Sequence, residues 1–115
     1  MQKAAIAALT GPLDMVKTQC GLYQQRRDAL CGGLRSIGWN VPDSHGSMFV
    51  WAPIPEKYAK SMDFCLDLVE KSGVLCTPGS SFGPLGEGYV RFALTLPPER
   101  IADAVKSIKE SGILD

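Results

Sequence analysis

The sequence lacks several features that would point to common classes of protein. It has one histidine, His45, and its four cysteines form no CxxC pair, so a zinc site has too few ligands. Twelve Lys and Arg residues balance twelve Asp and Glu residues, so no positive field attracts nucleic acid or anionic lipid. No apolar run approaches the ~20 residues that cross a bilayer, and the N-terminus has no apolar leader. We therefore expect a cytoplasmic protein with no bound metal and no nucleic-acid or membrane partner.

The length and composition predict one folded domain over residues 1–115. Hydrophobic residues make up 45% of the chain and charged residues 21%, which is too apolar for intrinsic disorder. The cysteines are predicted to be free, buried thiols, because Cys in apolar segments packs as a small hydrophobic residue. These residues are Cys20, Cys31, Cys65 and Cys76.

Hydrophobic periodicity predicts four helices and three strands. The helices are 2–9, 13–37, 61–72 and 97–111, and the strands are 47–52, 74–77 and 89–95. Ser61 is a candidate N-cap, and Gly73 is a candidate left-handed residue at the end of the third helix. This order of elements predicts an α+β fold of two layers, in which helices cover one side of a small antiparallel or mixed sheet.

The long helix, 13–37, contains an unusual pair of glycines, Gly32 and Gly33. Glycine inside a helix costs ~1 kcal/mol relative to alanine, so the pair indicates either close approach of another backbone or early fraying. The sequence leaves both open. The inward face of this helix is predicted to carry Val16, Cys20, Tyr23, Leu30, Leu34 and Ile37.

Arg91 is the strongest candidate for a functional residue. The two-residue period of its strand places Val90 and Phe92 on the core face and Arg91 on the opposite face, where it meets either water or an anion. A planar guanidinium matches a carboxylate with two parallel hydrogen bonds. Spacing alone favours a solvated arginine. However, Tyr89 on the same face can form hydrogen bonds, and the small side chain of Ala93 leaves room for a ligand.

The other candidates are weaker. The loop at 78–88 is rich in Gly and Pro but matches no phosphate-binding motif, and Glu87 is more simply a solvated side chain than an acid or base. Phe49 and Trp51, with Met48, could line a substrate entrance, but aromatic residues in an apolar strand favour a place in the core.

Several segments together resemble the C-terminal part of class I/II aminotransferases, which use pyridoxal phosphate in a fold of type I. The segments, in chain order, are Tyr23 with Arg26-Arg27-Asp28, Gly46-Ser47-Met48-Phe49-Val50-Trp51, Pro78-Gly79 with Phe82-Gly83, and Gly86-Glu87-Gly88-Tyr89-Val90-Arg91. Within the family, the chain is most similar to the LL-diaminopimelate aminotransferase branch, through Phe49 to Pro55 and Gly86 to Tyr89. Met48 departs from the pattern, since relatives usually carry an aromatic residue there, and this leaves the choice of substrate open.

The resemblance implies that Arg91 binds the α-carboxylate of the amino-acid and 2-oxo-acid substrates. It implies pyridoxal 5'-phosphate as the cofactor of the full-length enzyme and a homodimeric assembly. The family's Schiff-base lysine stands in a Ser-x-x-Lys context that no lysine here has, so we expect the large cofactor-binding domain to lie outside this chain. The chain alone is then expected to bind no cofactor, to be inactive, and to expose apolar surface.

Two other interpretations remain open from the sequence. A carbon–sulfur lyase or a decarboxylase of the same superfamily would use the same carboxylate-binding arginine. A free-standing, non-enzymatic α+β binding module would explain the missing lysine without a further domain.

Overall fold

A computed structural model describes residues 1–115 as four helices and a three-stranded sheet. The elements are α1 Gln2–Thr10, α2 Asp14–Ser36, β1 Phe49–Pro53, α3 Ser61–Ser72, β2 Thr77–Pro78, β3 Tyr89–Ala93 and α4 Pro98–Glu110. Two short 3₁₀ turns, Gly79–Phe82 and Pro84–Gly86, lie between β2 and β3. The predicted helices are confirmed to within a few residues at their ends.

The sheet is antiparallel throughout, with the strand order β1-β3-β2. Because β3 is central, Arg91 pairs with Trp51 of β1 on one side and with Thr77 of β2 on the other. The prediction of a strand over 74–77 is wrong in its bounds. Only Thr77 and Pro78 pair with β3; residues 74–76 form no strand, and a 3₁₀ turn begins directly after Pro78.

The helices cover one face of the sheet and form the core with it. Val50, Val90 and Phe92 point from the sheet into a cluster of buried side chains. The helices contribute Leu30, Leu34, Phe64, Leu68, Ile101, Val105 and Ile108. This arrangement confirms the predicted two-layer α+β fold and leaves the opposite face of the sheet uncovered by helices.

The N-terminal part of the molecule is less buried than its sequence pattern predicts. α1 buries no residue, and the buried residues of α2 begin only at Leu30. Val16 and Cys20, predicted to face inward, are exposed, because the buried residues of α2 all lie in its C-terminal half. The expectation of exposed apolar surface is thereby met by Ile6, Leu9, Leu13, Met15 and Val16. None of the helices is long and apolar enough to span a lipid bilayer.

The ends of α3 show one correction and one confirmation. Ser61 is the first residue of the helix, not its cap; Lys60 occupies the N-cap position and forms no capping hydrogen bond with its side chain. The Ser61 hydroxyl instead lies 3.2 Å from the Ser80 hydroxyl. Gly73 ends the helix with φ at +72°, in the left-handed conformation that the sequence predicts.

Candidate functional site

Arg91 lies in the middle of the central strand and points away from the helices. Its neighbours in β3 follow the predicted alternation, since Val90 and Phe92 are buried and Tyr89 is exposed. Arg91 itself is half-buried. The sheet therefore holds the backbone of this residue rigidly while its side chain reaches an open face.

Two aromatic rings enclose the guanidinium group. The Arg91 Cζ atom lies 4.1 Å from the ring centroid of Phe49 and 4.6 Å from that of Phe82. A guanidinium stacks favourably on aromatic faces, and the rings also exclude water from its flanks. The side chain is thus held in place between the two rings.

The Arg91 side chain has no polar partner within the protein. Its Nε atom is buried and forms no hydrogen bond, and none of the five ion pairs of the chain includes it. A buried donor without an acceptor costs free energy, as does a partly desolvated cation without an anion. Such a group is expected where an external anion completes the site, and a carboxylate fits the guanidinium with two hydrogen bonds.

The aromatic residues of β1 belong to this open face and not to the core. Trp51 is 38% exposed, and its ring stacks on that of Tyr89 with a centroid separation of 5.6 Å. The Phe82 ring meets Trp51 edge-on at 6.0 Å. The preference for a core position of Phe49 and Trp51 is therefore wrong, because β1 turns its odd-numbered side chains to the same side as Arg91.

The structure gives the remaining candidates other positions. Glu87 is exposed, as expected, but it is also held in place, since its Oε1 atom accepts hydrogen bonds from the backbone N–H groups of Ser61 and Gly88. These bonds lower its pKa, the Ser61 bond most strongly. His45 is exposed in the loop between α2 and β1.

Phe82 is the site residue that the sequence does not single out. It follows an irregular loop, and no periodicity relates it to Arg91, nine positions further along the chain. The only signal in the sequence is that Phe82-Gly83 is one of the segments that carry the family resemblance. Only the folded loop shows that an aromatic ring covers the arginine.

The chain matches the family model described as aminotransferase class I and II over residues 1–108. It is 46% identical over 113 residues to an LL-diaminopimelate aminotransferase of Halothermothrix orenii, with 98% of this chain and 29% of that protein covered. It is 43% identical over 108 residues to an LL-diaminopimelate aminotransferase of Dehalococcoides mccartyi, with 94% of this chain and 28% of that protein covered.

Solved structures show the same relationship. The substrate-bound BacF structure from Bacillus subtilis superimposes with a TM-score of 0.89 at 31% identity, with 95% of this chain and 28% of that one covered. The L,L-diaminopimelate aminotransferase from Chlamydomonas reinhardtii gives 0.75 at 28% identity, with 85% and 24% covered. The chain thus spans less than a third of the length of these relatives. Sequence and fold together show that it belongs to the class I and II aminotransferase family.

Proposed function

We propose that this chain is the carboxylate-binding domain of an aminotransferase, in which Arg91 binds the α-carboxylate of the amino acid and of the 2-oxo acid. The observation that carries the proposal is the unpartnered Arg91 guanidinium held between Phe49 and Phe82. A bidentate pair with the carboxylate fixes the orientation of the substrate about its Cα atom. Such positioning lowers the barrier of a reaction that needs one bond aligned with a cofactor.

The residues of this chain do not fit a binding site for the cofactor itself. All seven lysines are exposed, whereas a lysine that forms a Schiff base is activated by desolvation or a neighbouring cation. They are Lys3, Lys17, Lys57, Lys60, Lys71, Lys106 and Lys109. We infer that residues outside this chain hold pyridoxal phosphate, which serves as an electron sink when bound.

The inference that this chain does not bind the cofactor can be tested directly on the purified chain. Pyridoxal phosphate added to it should produce no saturable visible absorbance beyond that of the free cofactor, and glutamate with 2-oxoglutarate should not be turned over. Circular dichroism checks that the chain is folded. Stoichiometric cofactor binding or turnover would contradict the proposal.

The role of Arg91 is best tested in the full-length enzyme. Two charge-assisted hydrogen bonds contribute roughly 2 kcal/mol each, so Arg91→Ala should lower kcat/KM about a thousandfold for both the amino acid and the 2-oxo acid. Arg91→Lys should retain part of the activity, because it keeps the charge but loses the planar fork. Arg100→Ala is the matched control, since this arginine is exposed and pairs only with Asp103 at 3.7 Å. Unchanged kcat/KM in both Arg91 variants would refute the assignment.

We propose LL-diaminopimelate as the first amino donor to test, because the relatives with the identities given above carry that name. The assay compares it with glutamate and alanine, using 2-oxoglutarate as the acceptor. A carbon–sulfur lyase or a decarboxylase would instead release sulfide or carbon dioxide. We also expect the full-length enzyme to be a homodimer, which sedimentation of the purified protein checks.

A further inference from the structure

The segment from the last residue of β2 to the start of β3, residues 78–88, carries the ring that covers Arg91. We refer to it as the 78–88 loop. Phe82 is the last residue of its first 3₁₀ turn and is 53% exposed, with its ring against the guanidinium. A ring so exposed gains little from burial in the core, so its position depends on the loop backbone.

The loop is closed at its base by direct contact between two glycines. A Cβ atom at Gly79 would overlap the carbonyl oxygen of Gly86 and would lie 2.7 Å from that of Tyr89. A Cβ atom at Gly86 would likewise overlap the carbonyl group of Gly79. Only glycine permits this approach, and the contact turns the two 3₁₀ turns into one compact unit.

Glu87 attaches this unit to the first turn of α3. Its Oε1 atom accepts one hydrogen bond from the Ser61 N–H group at 2.6 Å and another from the Gly88 N–H group at 2.9 Å. The Ser61 hydroxyl, fully buried, contacts Ser80 of the loop at 3.2 Å. Both arms of the loop therefore meet α3 at the same residue.

A carboxylate suits this point of the fold. The first N–H groups of a helix have no partner within the helix, and the helix dipole favours a negative charge there. Lys60 forms no capping hydrogen bond with its side chain, so Glu87 supplies the cap from a distant part of the chain. The same contact thus satisfies α3 and fixes the loop.

We propose that Glu87 is a positioning residue, which holds the 78–88 loop on α3 so that Phe82 keeps the Arg91 guanidinium in its carboxylate-binding orientation. The inference rests on the proposed function of Arg91 and adds a residue that touches neither substrate nor cofactor. An arginine side chain loses much rotamer freedom on binding, and a neighbour that restricts it beforehand raises affinity. Glu87 acts through Phe82 and not through charge at the substrate.

The test is a double-mutant cycle in the full-length enzyme. Glu87→Ala should raise KM about tenfold for both the amino acid and the 2-oxo acid when Arg91 is present. In an Arg91→Ala background, the same change should have no further effect, because there is then no guanidinium to position. Glu87→Gln should keep KM within about threefold of the wild-type value, since the glutamine amide oxygen still accepts both hydrogen bonds.

Matched controls separate positioning from a loss of structure. Glu70→Ala removes an exposed carboxylate of α3, the helix that Glu87 contacts, and should leave KM unchanged. Hydrogen exchange at the Ser61 and Gly88 amides reports whether Glu87→Ala frees them. If Glu87→Ala prevents folding, Phe82→Ala replaces it in the cycle, because that exposed side chain contributes little to the core.

The outcomes are distinct. Faster exchange at Ser61 and Gly88 with unchanged KM would show that Glu87 only caps α3, and it would overturn the inference. A tenfold effect that persists in the Arg91→Ala background would do the same, because it would not act through the arginine. If Arg91→Ala itself has no effect, the proposed function fails independently of Glu87.

Discussion

Gly33 of α2 lies directly against Val105 of α4. A Cβ atom added at Gly33 would lie 2.9 Å from the Val105 Cγ2 atom and 3.2 Å from Cγ1. A Cβ atom added at the neighbouring Gly32 would meet no atom within 4 Å. Neither explanation that the glycine pair left open holds as stated: α2 continues to Ser36 without fraying, and Gly33 admits a side chain of α4 and not another backbone.

This difference predicts opposite effects of two alanine substitutions. Gly32→Ala should stabilise the chain by up to about 1 kcal/mol, because alanine favours the helix and meets nothing. Gly33→Ala should destabilise it by about 1–3 kcal/mol, because Val105 is buried and cannot move aside freely. Urea unfolding measures both changes. Val105→Ala should lower the free energy of unfolding less in the Gly33→Ala variant than in the wild type, because the smaller side chain makes room for the added Cβ atom. Equal losses in the two backgrounds would contradict the contact.

The sequence predicts well those helices and strands in which buried side chains recur at a regular spacing. In β3, buried and more exposed side chains alternate from Tyr89 to Phe92 as predicted. In α4, the buried face carries Ile101, Val105 and Ile108, at the predicted helical spacing. These patterns work because one face meets the core and the other does not. Arg91 is noticeable for the same reason, as a charge within an apolar strand.

Contacts between distant segments are not predictable in this way. Glu87 and Ser61 are 26 positions apart, and each residue alone is typical of a solvated side chain or an ordinary cap. The helical period of α2 continues through Val16, but this chain provides no surface for it to pack against. Periodicity reports that a face is apolar and leaves open which part of the molecule covers it.

The four thiols are predicted to differ sharply in reactivity. Cys20 is exposed, whereas Cys31, Cys65 and Cys76 are buried, and burial raises the pKa of each of these three. Since the thiolate is the reactive form, a colorimetric thiol reagent should modify one cysteine rapidly in the folded chain and all four in denaturant. Cys20→Ser should abolish the rapid phase. Fewer than four reactive thiols in denaturant without reductant would show that a disulfide has formed, and Cys65 with Cys76, whose Sγ atoms lie 3.2 Å apart, would be the pair to examine.

The hydroxyl of Tyr58 donates a hydrogen bond to Asp67 Oδ2 at 2.8 Å, and this pair predicts how stability varies with pH. The bond is the largest cause of the lowered pKa of Asp67, followed by Lys71. Burial first, and then Asp67, raises the pKa of Tyr58 to about 12. A lowered carboxyl pKa stabilises the folded state above the unfolded value of about 3.9, and this contribution is lost as pH falls through the folded pKa. A raised tyrosine pKa stabilises it below the unfolded value of about 10, and this contribution is lost as pH rises towards about 12.

Tyr58→Phe removes both contributions, so the variant should be less stable than the wild type. The difference should be largest from about pH 5 to about pH 9 and should narrow below and above that window, because both pKa shifts then cease to favour the folded state. Urea unfolding across this pH series measures it. Tyr89→Phe is the matched control, since Tyr89 is 39% exposed and lies in the sheet, outside the Tyr58–Asp67 pair. A Tyr58→Phe difference that stays constant from acid to alkali would mean that the hydroxyl is not coupled to Asp67 in solution.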